Sequence, residues 1–538
     1  MYDLARRRKR EGVRGERLSA MSAIPTRRRG LLDRIPIEAV SDDAQHQGLK
    51  RALGPVHLLL LGIGCILGAG IYVLPGTAAA EFAGPAVMLS FVISGAACAL
   101  TALCFAELAA IMPVSGASYT YCYASMGEVF AWALGWLLML EYGLAGSLLG
   151  VGFSGYLVSL LHDFGIAVPA ALSSSLIQAT GPGFAAVGAV NLVAVAAILA
   201  VGVVLTIGVT ESARVNAVLV TIKILVLGGF IAAGVGSIHP SNWVPFVPPN
   251  EGGFQYGWPG VFRAASILFF AYLGFNTVST AASEARDPQK DVPFGIVGSL
   301  LVCAVLYIIV AAVMTGVVPF RKLGVPDPIA VAMDAVGHPR VAVLVKLGAL
   351  TGLSSVLLVN AFGQSRITFA MARDGLLPPL FADIHPRLRT PWLGIAVLSL
   401  ISAVLAAIFP LVLLADLISL GTGAAFIITA ISLIWLRNTR PDLERPFRVP
   451  LGGVEIGGMW IGYVPTAAIL MCVLMIAPVV LDIVRHVRLG QPTAAIFLGV
   501  YFAVGALIYA LYGRRKSRVY AADPAQTHVD MLDAGGSR

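Results

Sequence analysis

Lys223 stands in Asn216-Ala217-Val218-Leu219-Val220-Thr221-Ile222-Lys223-Ile224-Leu225-Val226, about two turns into an apolar run long enough to cross a bilayer. A lysine at that depth costs roughly 2.5 kcal/mol or more, so its default meaning is an ion or proton pathway. The amine suits the second role because it exists in charged and neutral forms. The opposing reading is a lysine that snorkels to the nearer interface. Glu141, in Leu138-Met139-Leu140-Glu141-Tyr142-Gly143, is its natural partner. It either bonds Lys223, tunes its titration, or caps a polar packing contact. Ser354 and Ser355 lie deep in another run, where they either share a cation or Lys223 with the carbonyls around Gly64 and Leu67, or bond back to their own helix.

Backbone chemistry is the second signal. Gly62-Ile63-Gly64-Cys65-Ile66-Leu67-Gly68-Ala69-Gly70-Ile71 puts four glycines at the middle of a spanning run. Each costs roughly 1 kcal/mol of helix propensity relative to alanine, so the cluster predicts a broken helix. Bared N–H and C=O groups are tolerated at that depth only inside protein or around a cavity. The same glycines also fit a small-residue packing face. Five runs later, Phe269-Phe270-Ala271-Tyr272-Leu273-Gly274-Phe275-Asn276-Thr277 carries a second interruption. Paired interruptions in two halves point to a transporter of inverted repeats with its site where the breaks meet. Free N–H groups at one break suit a carboxylate, and bare carbonyls at the other suit an ammonium. A zwitterionic amino acid meets both. Asn276 and Thr277 are either contacts of that ligand or hydrogen bonders between helices.

These groups need elements to hold them. The chain has 538 residues, 58% hydrophobic and 12% charged, with a mean hydropathy of +0.85. That composition excludes a soluble domain and fits an all-α polytopic membrane protein. Apolar runs near 56–79, 86–111, 128–160, 186–209, 215–237, 262–283, 294–318, 340–368, 392–409, 411–436, 462–484 and 494–512 predict twelve transmembrane helices. An even number puts both ends on one side. Assigning the tails and alternate loops to the cytoplasm collects most of the 37 Lys and Arg there. Arg263, Arg321, Lys322, Arg340, Arg485 and Arg488 are left outside, and Lys346 is read as snorkelling from the outer end of its span. Residues 1–50 read as a disordered basic cytoplasmic tail with Met21 as an alternative start, 51–513 as the helical domain, and 514–538 as a second tail. The net charge of +8 therefore reports topology and contact with lipid headgroups, not nucleic acid. The six cysteines and eight histidines show no ligand spacing, so neither a metal nor a cofactor is expected.

Together, Leu49-Lys50-Arg51-Ala52-Leu53-Gly54, the Gly62 to Ile71 stretch, Phe105-Ala106-Glu107-Leu108, the Phe269 to Thr280 run, Pro288-Gln289-Lys290-Asp291-Val292-Pro293 and Ser365-Arg366-Ile367-Thr368-Phe369-Ala370-Met371-Ala372-Arg373-Asp374-Gly375 form a specific pattern. It resembles the amino acid-polyamine-organocation superfamily, and within it the bacterial relatives of the cationic amino acid transporters. The resemblance implies a five-plus-five inverted-repeat fold with two further helices, and amino acid binding between broken helices 1 and 6. Carried over, the N–H groups near Ala69, Gly70 and Ile71 hold the substrate carboxylate, with Ile66 and Gly68 beside them. The carbonyls of Phe270, Ala271 and Leu273 hold the amine. Lys223 matches the lysine that replaces a sodium ion in proton-coupled members. Asn276 and Thr277 stand where Asp-Ala is common after Gly-Phe, so Asn276 offers no negative charge to a cationic side chain.

The leading expectation is a secondary active permease of the cell membrane that takes up an amino acid with a proton by alternating access. An obligatory exchanger is the alternative within transport, and a non-transporting amino acid sensor a further one. Nothing in the sequence clusters as a nucleophile and base at one membrane face, so an enzyme is not expected.

Overall fold

The computed structural model describes residue 34 and residues 53–113, 117–180, 183–186, 188–208, 213–337 and 339–517. The expected tail over 1–50, Arg34 excepted, and the end of the chain from 518 lie outside the described residues. Among those described, nine helices are long and apolar enough to cross a membrane, and three shorter apolar helices accompany them. The chain is a multi-pass membrane protein.

The first predicted span is three pieces, α1 (Pro55–Ile66), α2 (Ala69–Tyr72) and α3 (Leu74–Ala78). Then follow α4 (Val87–Ile111), α5 (Ala117–Met126) and α6 (Glu128–Asp163). A hairpin of β1 (Ile177–Thr180) and β2 (Gly183–Ala186) ends at the residue where the next span was expected, and that helix begins instead at Leu192. This helix, α7 (Leu192–Ile207), starts where the Asn191 side chain accepts the Ala194 N–H at 3.0 Å. It stops at Gly208, whose φ of +90° is the left-handed stop that glycine allows. Beyond α8 (Ala213–Val235), a second span divides into α9 (Gly257–Leu268), a 3-10 turn over Phe269–Tyr272, and α10 (Phe275–Thr280). The second half continues through α11 (Pro288–Val317), α12 (Pro328–Val336), α13 (Pro339–Arg373), α14 (Trp392–Ile408) and α15 (Leu411–Thr439). A hairpin of β3 (Gly453–Ile456) and β4 (Met459–Gly462) precedes α16 (Tyr463–Arg488) and α17 (Thr493–Ile508). Prolines open α1, α11, α12 and α13, where the missing N–H costs no helical bond.

Helices in lipid gain little by hiding apolar side chains from one another, so close approach and polar clamps decide their packing. Small residues provide the approach: a Cβ on Gly62 would collide with Ser299 of α11, and one on Gly64 would lie 2.7 Å from Asn216 and Val220 of α8. The long helices α6 and α13 pack on each other, α4 packs on α11, and α15 on α6. Three ionic clamps tie helices of the bundle together. Glu107 of α4 is wholly buried and accepts from Arg437 Nε at 2.8 Å and from the Val449 N–H at 2.7 Å, with Arg445 at 3.7 Å. Arg263 of α9 forks onto Asp416 of α15 at 2.7 Å on both arms and reaches Asp482 of α16 at 2.9 Å. Lys346 of α13 does not snorkel: it is buried and donates to Asp163 of α6 at 2.7 Å and Asp334 of α12 at 3.2 Å. The two carboxylates stand where a snorkelling ammonium would have needed water.

Candidate functional site

The two interruptions face each other. At the first, Leu67 (φ −72°, ψ 80°) and Gly68 (φ −137°, ψ −134°) leave helical geometry, and the chain resumes at Ala69. At the second, Leu273 (φ −55°, ψ 144°) and Gly274 (φ +115°) turn the backbone, the latter in the region glycine favours. They touch: a Cβ on Gly70 would lie 2.5 Å from the Ala271 Cα, and one on Gly274 would lie 2.8 Å from the Cys65 carbonyl. Tyr307 of α11 locks the junction, its hydroxyl within 2.7 Å of the Ile66 carbonyl and 2.8 Å of the Ala271 carbonyl. The glycine cluster thus divides its labour. Gly62 and Gly64 are packing glycines, whereas Gly68, Gly70 and Gly274 serve the breaks.

One cavity opens at this junction, with about 530 Å³ of empty space including its mouth. Ile66, Gly68, Ala69 and Gly70 line it from the first break, and Phe270, Ala271, Leu273, Asn276 and Thr277 from the second. Among the described residues, the Ala69 and Gly70 N–H groups have no hydrogen-bond partner, while the neighbouring Gly68 N–H is held by the Ile66 carbonyl at 2.8 Å. Ile71 falls out of the expected set. Its N–H bonds the Gly68 carbonyl at 3.1 Å, and its side chain is buried away from the cavity. On the acceptor side, the Ala271 carbonyl takes the Tyr307 hydroxyl and the Phe270 carbonyl takes the Leu273 N–H at 2.9 Å, while the Leu273 carbonyl has no partner among the described residues. A carbonyl has two lone pairs, so all three keep accepting capacity. The arrangement sets two donors on the first break and three acceptors on the second around one cavity.

The charged residues separate. Lys223 is fully buried, and its Nζ donates to the Gly64 carbonyl at 2.9 Å, tying α8 to α1 one turn before the break. Glu141 is 1% exposed and lines the cavity, yet neither of its oxygens has a hydrogen-bond partner among the described residues. The bond considered between Glu141 and Lys223 is not formed: α6 points the carboxyl into the cavity, while α8 directs the ammonium to the α1 backbone. Ser354 bonds back to the Leu350 carbonyl of its own helix at 2.8 Å, and Ser355 is buried beside it. Leu67 is buried at the break but does not line the cavity.

Several positions escaped the sequence reading. Cys65, Tyr142, Ala145, Leu149, Val356, Val359 and Asn360 complete the wall. Asn360 donates to the Tyr142 carbonyl at 2.7 Å and pins α13 to α6 next to Glu141. The Tyr307 hydroxyl in the run 294–318 and the Asn360 amide in the run 340–368 were the available signals, each one of several polar groups in its run.

Residues 53–507 match the amino acid permease family model. The chain belongs to the amino acid permease family. It is 41% identical over 485 residues to the branched-chain amino acid permease BcaP of Bacillus subtilis, covering 90% of this chain and 97% of that one. It is 40% identical over 482 residues to the methylthioribose transporter of the same organism, with the same two coverages. The vacuolar cationic amino acid transporter 4 of Arabidopsis thaliana is 36% identical over 412 residues, 76% of this chain and 66% of the relative. These relatives are named as transporters and permeases, and none as an enzyme.

Proposed function

We propose that this permease is a secondary active transporter that takes up an amino acid together with a proton across the cell membrane, with both termini cytoplasmic. The observation that carries it is the junction of the two breaks, where the free Ala69 and Gly70 N–H groups face the carbonyls of Phe270, Ala271 and Leu273 across one cavity. The donors take the substrate carboxylate and the acceptors its ammonium, with charge assistance from both. In this reading the nine long and three short apolar helices are twelve spans, the interrupted ones are spans 1 and 6, and the two halves are inverted repeats.

Lys223 carries the coupling step. Protonated, it bonds the Gly64 carbonyl and holds α8 against the half-helix that leads into the site. Deprotonated, it loses its charge and the pull on that carbonyl weakens, so α1 is freer to rearrange. Because Gly64 lies four residues before Gly68, protonation and the shape of the break are mechanically linked. Alternating access then exposes the same cavity first to one side and then to the other.

Reconstituted protein tests both parts. Uptake of labelled amino acid into proteoliposomes, without sodium and with an imposed inward proton gradient, should accumulate substrate and stop when the gradient is collapsed. Equal accumulation with and without the gradient, given only that amino acid is loaded inside, would establish the exchanger instead. Binding without any flux would establish the sensor.

A further inference from the structure

Once the backbone groups have taken the carboxylate and ammonium, the cavity still presents acceptors that nothing satisfies. Neither oxygen of Glu141 nor the Oδ1 of Asn276 makes a well-formed hydrogen bond among the described residues, the Thr422 hydroxyl being the polar neighbour of the Glu141 carboxyl, although the two residues are only 1% and 4% exposed. Each lines the cavity, Glu141 from α6 and Asn276 from α10. Buried polar groups left unpaired are costly, and interiors seldom keep them without a purpose. A carboxyl offers acceptor lone pairs in either protonation state. The stem of a side chain would lie on Ala145 and Leu149 of α6 and on Val356 and Val359 of α13, while Tyr142, Thr277 and Asn360 add polar groups elsewhere on the wall.

We infer that Glu141 and Asn276 form a side-chain subsite that selects substrates carrying N–H or O–H donors on a short apolar stem, and rejects branched aliphatic side chains. This rests on the reading of the cavity as an amino acid site. An aliphatic ligand buries the acceptors without pairing them, whereas a side chain ending in hydroxyl, amide, ammonium or guanidinium pairs them while its stem lies on the valines. Sites built to hydrogen-bond a ligand discriminate strongly against the analogue that lacks the donor. The subsite therefore separates this chain's preference from that named for its branched-chain relative.

Thermal-shift titration of the purified full-length protein tests this with four kinds of probe: leucine and valine; threonine and glutamine; ornithine, lysine and arginine; and methylthioribose, which has hydroxyls and no amine. The expected result is at least one donor-bearing amino acid binding about tenfold or more tighter than leucine. The readout in variants is the ratio of the two affinities. Glu141→Leu with Asn276→Leu should bring that ratio to one or below. Glu141→Gln should collapse it if the preferred donors are cationic and largely preserve it if they are neutral. Leucine or valine binding as tightly as every donor-bearing probe to the unmodified protein overturns the inference and leaves the transporter reading in place, and this arm does not depend on any variant folding. A ratio unchanged in the double variant also overturns it. Binding of no amino acid at all removes the proposed function and the inference with it, and binding of methylthioribose alone removes the amino acid reading while keeping the donor requirement.

Discussion

Glu107 and Glu141 are the same residue type, each buried on a long helix of the same bundle, and they are held in opposite ways. Glu107 accepts from Arg437 and the Val449 N–H and has Arg445 beside it. Glu141 accepts from nothing among the described residues and faces the cavity. A buried carboxylate that is fully paired joins elements, and its removal leaves its partners stranded. One that is unpaired is a cost carried by the fold, and Glu141 carries it in the wall of the cavity that Asn276 and the two breaks also line. Burial alone therefore does not mark function in a membrane bundle; the partner count does.

The widest separation is expected in stability. Glu107→Gln leaves the guanidinium groups of Arg437 and Arg445, both largely buried, without their counter-charge. Breaking such a pair costs about 3–5 kcal/mol. In detergent-purified protein its melting temperature should fall steeply and its monodisperse fraction shrink, while Glu141→Gln, which breaks no ion pair and keeps an oxygen toward Thr422, should melt at or above the unmodified protein. Equal losses in the two variants would erase the distinction between a clamp and a site.

Next in size is the loss of binding at the breaks. Gly70→Leu must place a Cβ 2.5 Å from the Ala271 Cα, and backbone on both sides leaves no room to yield. Substrate binding should disappear in a protein that still inserts and purifies. Gly68→Ala meets only the methyl groups of Val356, the nearest at 3.0 Å, so it should weaken binding by a smaller factor. Gly70→Leu binding like the unmodified protein in the thermal-shift assay would show that the meeting point of the breaks is not the site.

Lys223→Met keeps the aliphatic stem and deletes the donor to the Gly64 carbonyl. Gradient-driven accumulation in proteoliposomes should drop by about tenfold or more, as expected when an intramembrane charge on the proton path is removed. Counterflow exchange, which needs the cavity but no net proton movement, should survive better. Accumulation equal to the unmodified protein would return Lys223 to a packing role.

Much of this was legible in the sequence for one reason: a bilayer forbids bare backbone and bare charge, so each exception is conspicuous. The glycines of the first interruption, Gly274 and Asn276 in the second, and Lys223 are all such exceptions, and all lie at or next to the junction of the breaks. What stayed hidden was direction. The one-dimensional pattern places Glu141 and Lys223 at similar depth but does not say that α6 turns one toward the cavity while α8 turns the other toward α1. Lys346 misled in the same way, because the aspartates that hold it sit on other helices, Asp163 at the end of α6 far off in sequence and Asp334 in α12 just before α13, and only the fold turns both toward it. Ile71 was lost to local geometry, since Gly68 resumes helical bonding soon enough to occupy its N–H.

The smallest effect is expected at Ser354, and it sharpens the comparison from the other side. A hydroxyl in a span has two uses: it pairs with a neighbouring group, or it bonds back to the carbonyl four residues earlier. Ser354 does the second, with its Oγ 2.8 Å from the Leu350 oxygen. Such a bond satisfies the hydroxyl without engaging Lys223 or a substrate, and it adds little to the helix. Ser354→Ala removes a group already paired within α13, leaves no orphan behind, and should change stability by about 0.5 kcal/mol or less. Its proton-driven uptake should stay within about twofold of the unmodified protein, against the much larger loss expected at Lys223. An uptake defect approaching that of Lys223→Met, at unchanged melting temperature, would mean that the hydroxyl swings toward the coupling lysine during transport, and that a satisfied bond in one conformation is not proof of a structural role.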